Sequence, residues 1–180
     1  IYFYAVLSDG TTAGNRTAFF LIGTFMALWV ILYGLIQANA PRILRAKMRP
    51  TDELIKVARG WAWRLAAVPA ILTGVAIIAG EPQLWLTISL VAGLLIFGIV
   101  FALNSSLHSY LILSFTKAER VTLDVGFYYM ANAAGRLAGT LLSGLTYQIC
   151  GLPLMLGVAA FMVALSAIMV GLLKPERSQP

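Results

Sequence analysis

The sequence predicts an all-α protein, a multi-pass bundle of transmembrane helices, and three observations carry that reading. Of 180 residues, 60% are hydrophobic and only 11% are charged, against about 25% charged in a soluble domain. Uncharged runs of membrane-spanning length recur along the chain, separated by short polar segments. When successive runs are taken to cross in turn, the Lys and Arg residues fall almost wholly on one side. A core surrounded by water has no use for so much apolar surface, whereas lipid does.

Taken in order, residues 1–8 read as the end of a helix, closed by Asp9-Gly10. The chain opens at Ile1, inside an apolar stretch, without an initiator Met or signal peptide. It is therefore expected to be the carboxy-terminal part of something longer. A first full span is placed at 18–39, because Phe19 to Ala38 is uncharged for 20 residues, about what a ~30 Å hydrocarbon core requires. Residues 40–63 read as a polar, basic loop. A second span at 64–80 contains Pro69, which neighbouring helices can accommodate in a membrane. Glu81-Pro82-Gln83 makes a tight connection to a third span at 84–115. At 1.5 Å per residue that run is about 48 Å long and is expected to tilt, kink or protrude. A fourth span at 121–149 and a fifth at 152–173 complete the chain, followed by a polar tail from Lys174.

Orientation follows from charge. Eleven of the 13 Lys and Arg residues lie in the 40–64 region, the turn at Lys117 to Arg120 and the tail, and the opposite side holds only Arg16. The positive-inside rule then puts the basic loop and the tail in the cytoplasm and the protein in a plasma (inner) membrane. Trp61, Trp63 and Trp85 fall at the expected interfaces, where amphipathic indoles are favoured. Within the loop, Pro50-Thr51-Asp52-Glu53 looks like a helix start, and Leu54, Val57, Ala58 and Trp61 recur at helical spacing. A short amphipathic helix on the inner leaflet is expected, with a solvated basic connector as the other reading.

The remaining basic residue, Arg136, sits near the middle of the 121–149 span. A guanidinium there costs a few kcal/mol on insertion scales, so it is expected to face a bundle interior or a watery cavity. It serves either as the counter-charge for an anionic substrate, which is preferred, or as the partner of an acid on another helix. Tyr129, Asn132 and Arg136 fall at i, i+3 and i+7, one donor-rich face suited to phosphate or carboxylate oxygens. Tyr128 lies one step round. Asp124 could carry a proton or orient Arg136, but its place near the span's start favours helix capping. Gly135, Gly139 and Ser143 recur every four residues with Ala131, a spacing that lets helices pack closely. On the third span, Asn104 and His108 are four apart. Asn104 could line a pathway or satisfy backbone at a kink, and His108 could act as a proton-sensitive gate or pack as a hydrogen-bonded histidine.

Other chemistry finds little purchase. Cys150 is the one cysteine and His108 the one histidine, so neither an internal disulfide nor a cysteine or histidine metal site is expected. No nucleotide-binding loop, Gly-x-Ser-x-Gly, His-Glu-x-x-His or paired intramembrane carboxylates occur. The net charge of +6 would suggest nucleic acid in a soluble protein, but its distribution here marks orientation. No cofactor and no enzymatic activity are expected.

One block carries a resemblance. Asn104-Ser105-Ser106-Leu107-His108-Ser109-Tyr110-Leu111-Ile112, then Leu123-Asp124-Val125-Gly126-Phe127-Tyr128-Tyr129-Met130-Ala131-Asn132-Ala133, Gly135-Arg136-Leu137 and Gly139-Thr140, resembles the organoarsenical efflux permeases (ArsJ) of the major facilitator superfamily. The match covers about Asn104 to Gln148, and the hydropathy layout agrees elsewhere. The resemblance implies a transporter of two six-helix halves, with this chain as the second half: five full spans and the end of a sixth. It implies alternating access and export of 1-arseno-3-phosphoglycerate, formed when glyceraldehyde-3-phosphate dehydrogenase uses arsenate, and hence arsenate resistance. The partners implied are that anion, the bilayer, an amino-terminal half and, functionally, the dehydrogenase. One departure stands out. The Asn39 to Lys47 segment is basic but lacks the glycine-aspartate pattern that many facilitators carry there. Export of another organic anion or drug, or a structural role in a membrane complex, are the alternatives.

Overall fold

The computed structural model describes residues 2–45, 49–116 and 118–174, and all elements among them are helical. They are α1 (Tyr2–Leu7), α2 (Thr12–Leu44), α3 (Thr51–Ala79), α4 (Leu84–Phe115), a 3-10 turn at Ala118–Arg120 and α5 (Val121–Gly171). The helices α2 to α5 are each long and apolar enough to cross a membrane. Their apolar surface points outward. In the most apolar stretch of α2 none of the residues is buried within the protein, and in that of α5 only 11% are. Phe19 is 68% exposed, Leu84 76% and Ile78 80%. Such a surface is stable only against lipid or further protein.

Local chemistry sets the boundaries. Gly10 takes φ 81°, and Thr11 then caps α2, its hydroxyl accepting from the Gly14 N–H at 3.0 Å. The α3 helix closes on Gly80, at φ 66°, whose N–H returns to the Ala76 carbonyl. The apparent length of α5 hides a break: Cys150 has φ −138° and Gly151 has φ 69°, ψ −157°. Only glycine adopts the latter readily. The break divides α5 into arms 121–149 and 152–171. Pro153 follows in the first turn of the second arm, where a missing N–H costs nothing. The α4 helix runs without interruption through Asn104-Ser105-Ser106.

The region 40–63 departs from expectation. The α2 helix continues through Pro41 to Leu44, and α3 begins at Thr51 with Asp52 and Glu53 in its first turn. Among the described residues no separate surface helix forms, and residues 51–63 are no solvated connector either. Residues 51–63 are the opening turns of a helix that runs on to Ala79, and their apolar stripe has a protein partner. Leu54, Ile55 and Ala58 are buried together with Ala40, Leu44, Leu107 and Val170, with Trp61 packed against them. Arg49 ties the two helices, its Nε donating to the Leu44 carbonyl at 3.0 Å and its guanidinium pairing with Glu53.

Two buried clusters mark the two ends of the bundle. The first joins the C-terminal ends of α2, α4 and α5 to the N-terminal end of α3. The second joins Tyr2, Leu72, Ala79, Leu86, Leu90 and Leu152 at the other end. Successive helices therefore alternate in direction. Arg42, Arg45, Arg49, Lys56, Arg59, Arg64, Arg120 and Lys174 all belong to the first end, whereas Asp9, Arg16 and Glu81 belong to the second. Lys47, Lys117 and Arg177, which entered the charge count, lie outside the described residues.

Candidate anion site on the fifth helix

The first arm of α5 is the least covered part of the bundle: every residue from Tyr129 to Leu141 is exposed. Arg136 projects from the middle of this arm. Tyr129, 65% exposed, and Asn132, also exposed, lie on the same helical face at i−7 and i−4 from it. Tyr128 is half-buried, and its ring tilts against that of Tyr129, centroids 5.6 Å apart. Among the described residues the one ion pair is Arg49 with Glu53, so no acid of the described residues neutralises Arg136. The arrangement is a guanidinium, an amide and a phenol aimed away from the bundle. Chemically it can donate several hydrogen bonds to one anion, two of them from the planar guanidinium fork.

Gly135 and Gly139 share this openness. A Cβ on either would meet nothing within 4 Å, so these glycines make no close helix contact among the described residues. Ser143, about four turns from Tyr129 along the helix, lines an apolar cavity of about 190 Å³ with Tyr2, Leu72, Leu90, Tyr147 and Leu156. That cavity offers few donors and is unsuited to an anion.

The other candidate residues lie apart from Arg136. Asp124 is half-buried in the first turn of α5, where a carboxylate complements the helix dipole. Asn104 is 8% exposed, in the interior with Leu103 and Leu107, and its Oδ1 has no hydrogen-bond partner. His108 is half-buried one turn on, its Nδ1 2.9 Å from the Asn104 main-chain carbonyl. A carbonyl only accepts, so Nδ1 is the donor of this hydrogen bond. No hydrogen bond joins this pair to the Tyr129–Arg136 face. Sequence reasoning missed Arg59, which folds across the end of α5: its Nε lies 3.0 Å from where a Cβ on Gly171 would sit. A cation at a helix C-terminus is favoured by the dipole, and a glycine opposite an arginine was the available signal. Comparison of the chain with protein-family models, curated proteins and solved structures matches none of them.

Proposed function

We propose that this chain is the second half of a major facilitator type exporter of an organic anion, with 1-arseno-3-phosphoglycerate as the substrate. The observation that carries the reading is the uncovered guanidinium of Arg136 at mid-helix, flanked by Asn132 and Tyr129. In lipid that position is costly, and it becomes favourable when a second helical half encloses it with an anion between them. The alternating helix directions and the broken α5 fit five crossings plus the end of a sixth, with the basic end in the cytoplasm. In this reading Tyr128 and Asn104 are further contacts to the anion, whereas His108 and Asp124 serve coupling or gating. Glyceraldehyde-3-phosphate dehydrogenase would supply the substrate when arsenate replaces phosphate.

Everted vesicles from cells expressing the full transporter test this. Radiolabelled arsenate should accumulate only when the dehydrogenase, its cofactor and glyceraldehyde 3-phosphate are also present. Arg136→Ala should abolish accumulation with the protein still in the membrane, and Tyr129→Phe should weaken it about two- to tenfold, the worth of one hydrogen bond. Normal accumulation and arsenate resistance with Arg136→Ala would overturn the anion role. Accumulation of other organic anions but not of this product would keep the site and replace the substrate. A second reading, an assembly subunit, draws on the same uncovered face; it predicts that Arg136→Ala releases a partner protein without affecting any flux.

A further inference from the structure

The outward face of α3 has features that neither the bundle core nor the Arg136 site uses. Lys56, Gly60, Trp63, Ala67, Ile71 and Gly74 recur at intervals of three, four or seven residues and so share one side of the helix. Lys56, Trp63, Ala67 and Ile71 are exposed and the two glycines are half-exposed, and a Cβ on Gly60 or Gly74 would meet nothing within 4 Å. The face is therefore uncovered, with a cation at its head, an indole below it and small and apolar residues beyond.

The charge around its head is one-sided. Between residues 42 and 64 the described cations are Arg42, Arg45, Arg49, Lys56, Arg59 and Arg64, against Asp52 and Glu53. Glu53 is already engaged by Arg49, while Arg64 lies over the Trp61 ring at 5.0 Å, next to Trp63. The opposite end of the bundle has no such excess, so the attraction is local.

We infer that this face of α3 binds an anionic phospholipid of the surrounding leaflet, with Lys56 and Arg64 holding the phosphate and Trp63 at the ester level. The spacing agrees with the dimensions of a bilayer. From Lys56 to Trp63 the helix rises about 10 Å. One interfacial layer is about 5–8 Å thick, so the Lys56 backbone lies just on its water side and the flexible four-carbon stem reaches back to the phosphate. From Trp63 to Gly74 it rises about 16 Å, close to the ~15 Å of one leaflet's hydrocarbon. An acyl chain lying along Ala67, Ile71 and Gly74 thus ends near the midplane. Charge complementarity selects phosphatidylglycerol or a similar anionic lipid over a zwitterionic one. This inference requires a membrane around the bundle but does not depend on what the protein transports.

The experiment uses the full-length protein in vesicles of phosphatidylcholine and in vesicles of equal parts phosphatidylcholine and phosphatidylglycerol, with one lipid species brominated on its acyl chains. The emission lost on Trp63→Phe isolates the Trp63 signal, and that lost on Trp85→Phe isolates Trp85, whose Nε1 donates to Gln83 at the other end. Brominated phosphatidylglycerol should quench Trp63 more strongly than brominated phosphatidylcholine at equal mole fraction, with no such preference at Trp85. Lys56→Gln and Arg64→Gln, both exposed positions, should each reduce the preference by up to about fivefold, the attraction of one surface cation. Equal quenching by the two lipids would overturn the site, as would a preference shared by Trp85 or one that survives the double variant. Loss of the preference on adding inorganic phosphate would show a free-anion site and overturn the lipid. If the double variant does not assemble, each single variant alone decides.

Discussion

The indole Nε1 of Trp29 on α2 donates a hydrogen bond of 2.8 Å to the main-chain carbonyl of Leu94 on α4. That carbonyl lies one turn before Gly98, and the absence of a side chain at Gly98 lets the ring come so close. A Cβ there would lie 2.7 Å from the indole nitrogen and 2.9 Å from Cε2. Tyr33 stacks on Trp29 and packs in turn on Phe101, extending the contact along both helices. Because the most apolar stretch of α2 is otherwise uncovered, this strip is much of what holds α2 to the bundle.

Gly98→Ala should therefore push the indole off α4 and cost about 1–3 kcal/mol, the usual penalty for overpacking. Trp29→Phe, which removes the donor and part of the ring, should cost at least the roughly 0.5–1.5 kcal/mol of the hydrogen bond. Reversible unfolding followed by circular dichroism in mixed micelles would rank the two. A Gly98→Ala protein as stable as the parent would mean that α2 and α4 are not held by this contact.

The asymmetry between what the sequence revealed and what it hid has a physical source. Lipid imposes long uncharged runs, so Phe19 to Ala38 and Leu84 to Phe115 were legible as helices from hydropathy. The Gly151 break was legible too, because a Cys-Gly-Leu-Pro step offers no continuous helix. The charges of 40–63 misled, since Lys and Arg suit a helix end in water as well as they suit a loop. The buried stripe of Leu54 and Ala58 shows that helix formation won. Facing was harder to read. A helix apolar all round, like α4, has no polar side to say which residues point inward. Nothing in the sequence therefore separated the buried Asn104 from the exposed Arg136.

The loop between α1 and α2 should respond to pH. The Thr11 hydroxyl, and after it the Thr11 N–H, donate to Asp9 Oδ1 at 2.7 and 2.9 Å and hold its carboxyl below the ordinary aspartate value of 3.8. A depressed carboxylate favours the folded loop wherever it is ionised, so its contribution is present above about 3.8 and is lost as pH falls through the lower folded value. Protection of the Thr11 and Gly14 amides, taken relative to the intrinsic exchange rate at each pH, should fall below that range in the parent protein and stay level there in Asp9→Asn. Gly14→Ala should act alike at neutral pH, because its Cβ would overlap Asp9 Oδ1. Protection that does not change with pH in the parent would refute the account.

The α3 and α4 helices pack tightly at Gly93, where a Cβ would lie 2.6 Å from Cδ1 and 2.7 Å from Cδ2 of Leu72. Both residues are buried, and Leu72 belongs to the same buried cluster as Leu90 and Ala76. Gly93→Ala alone should destabilise by about 1–3 kcal/mol through overpacking. Leu72→Ala alone should cost about 2–5 kcal/mol, from lost burial and the cavity left behind. The double variant fills part of that cavity with the new methyl group, so its cost should fall short of the sum of the two by about 0.5–3 kcal/mol. A double-mutant cycle from unfolding in mixed micelles measures that difference directly. Strict additivity would mean that the helices separate at this point to admit the methyl group, and that close packing of Gly93 on Leu72 does not hold α3 against α4.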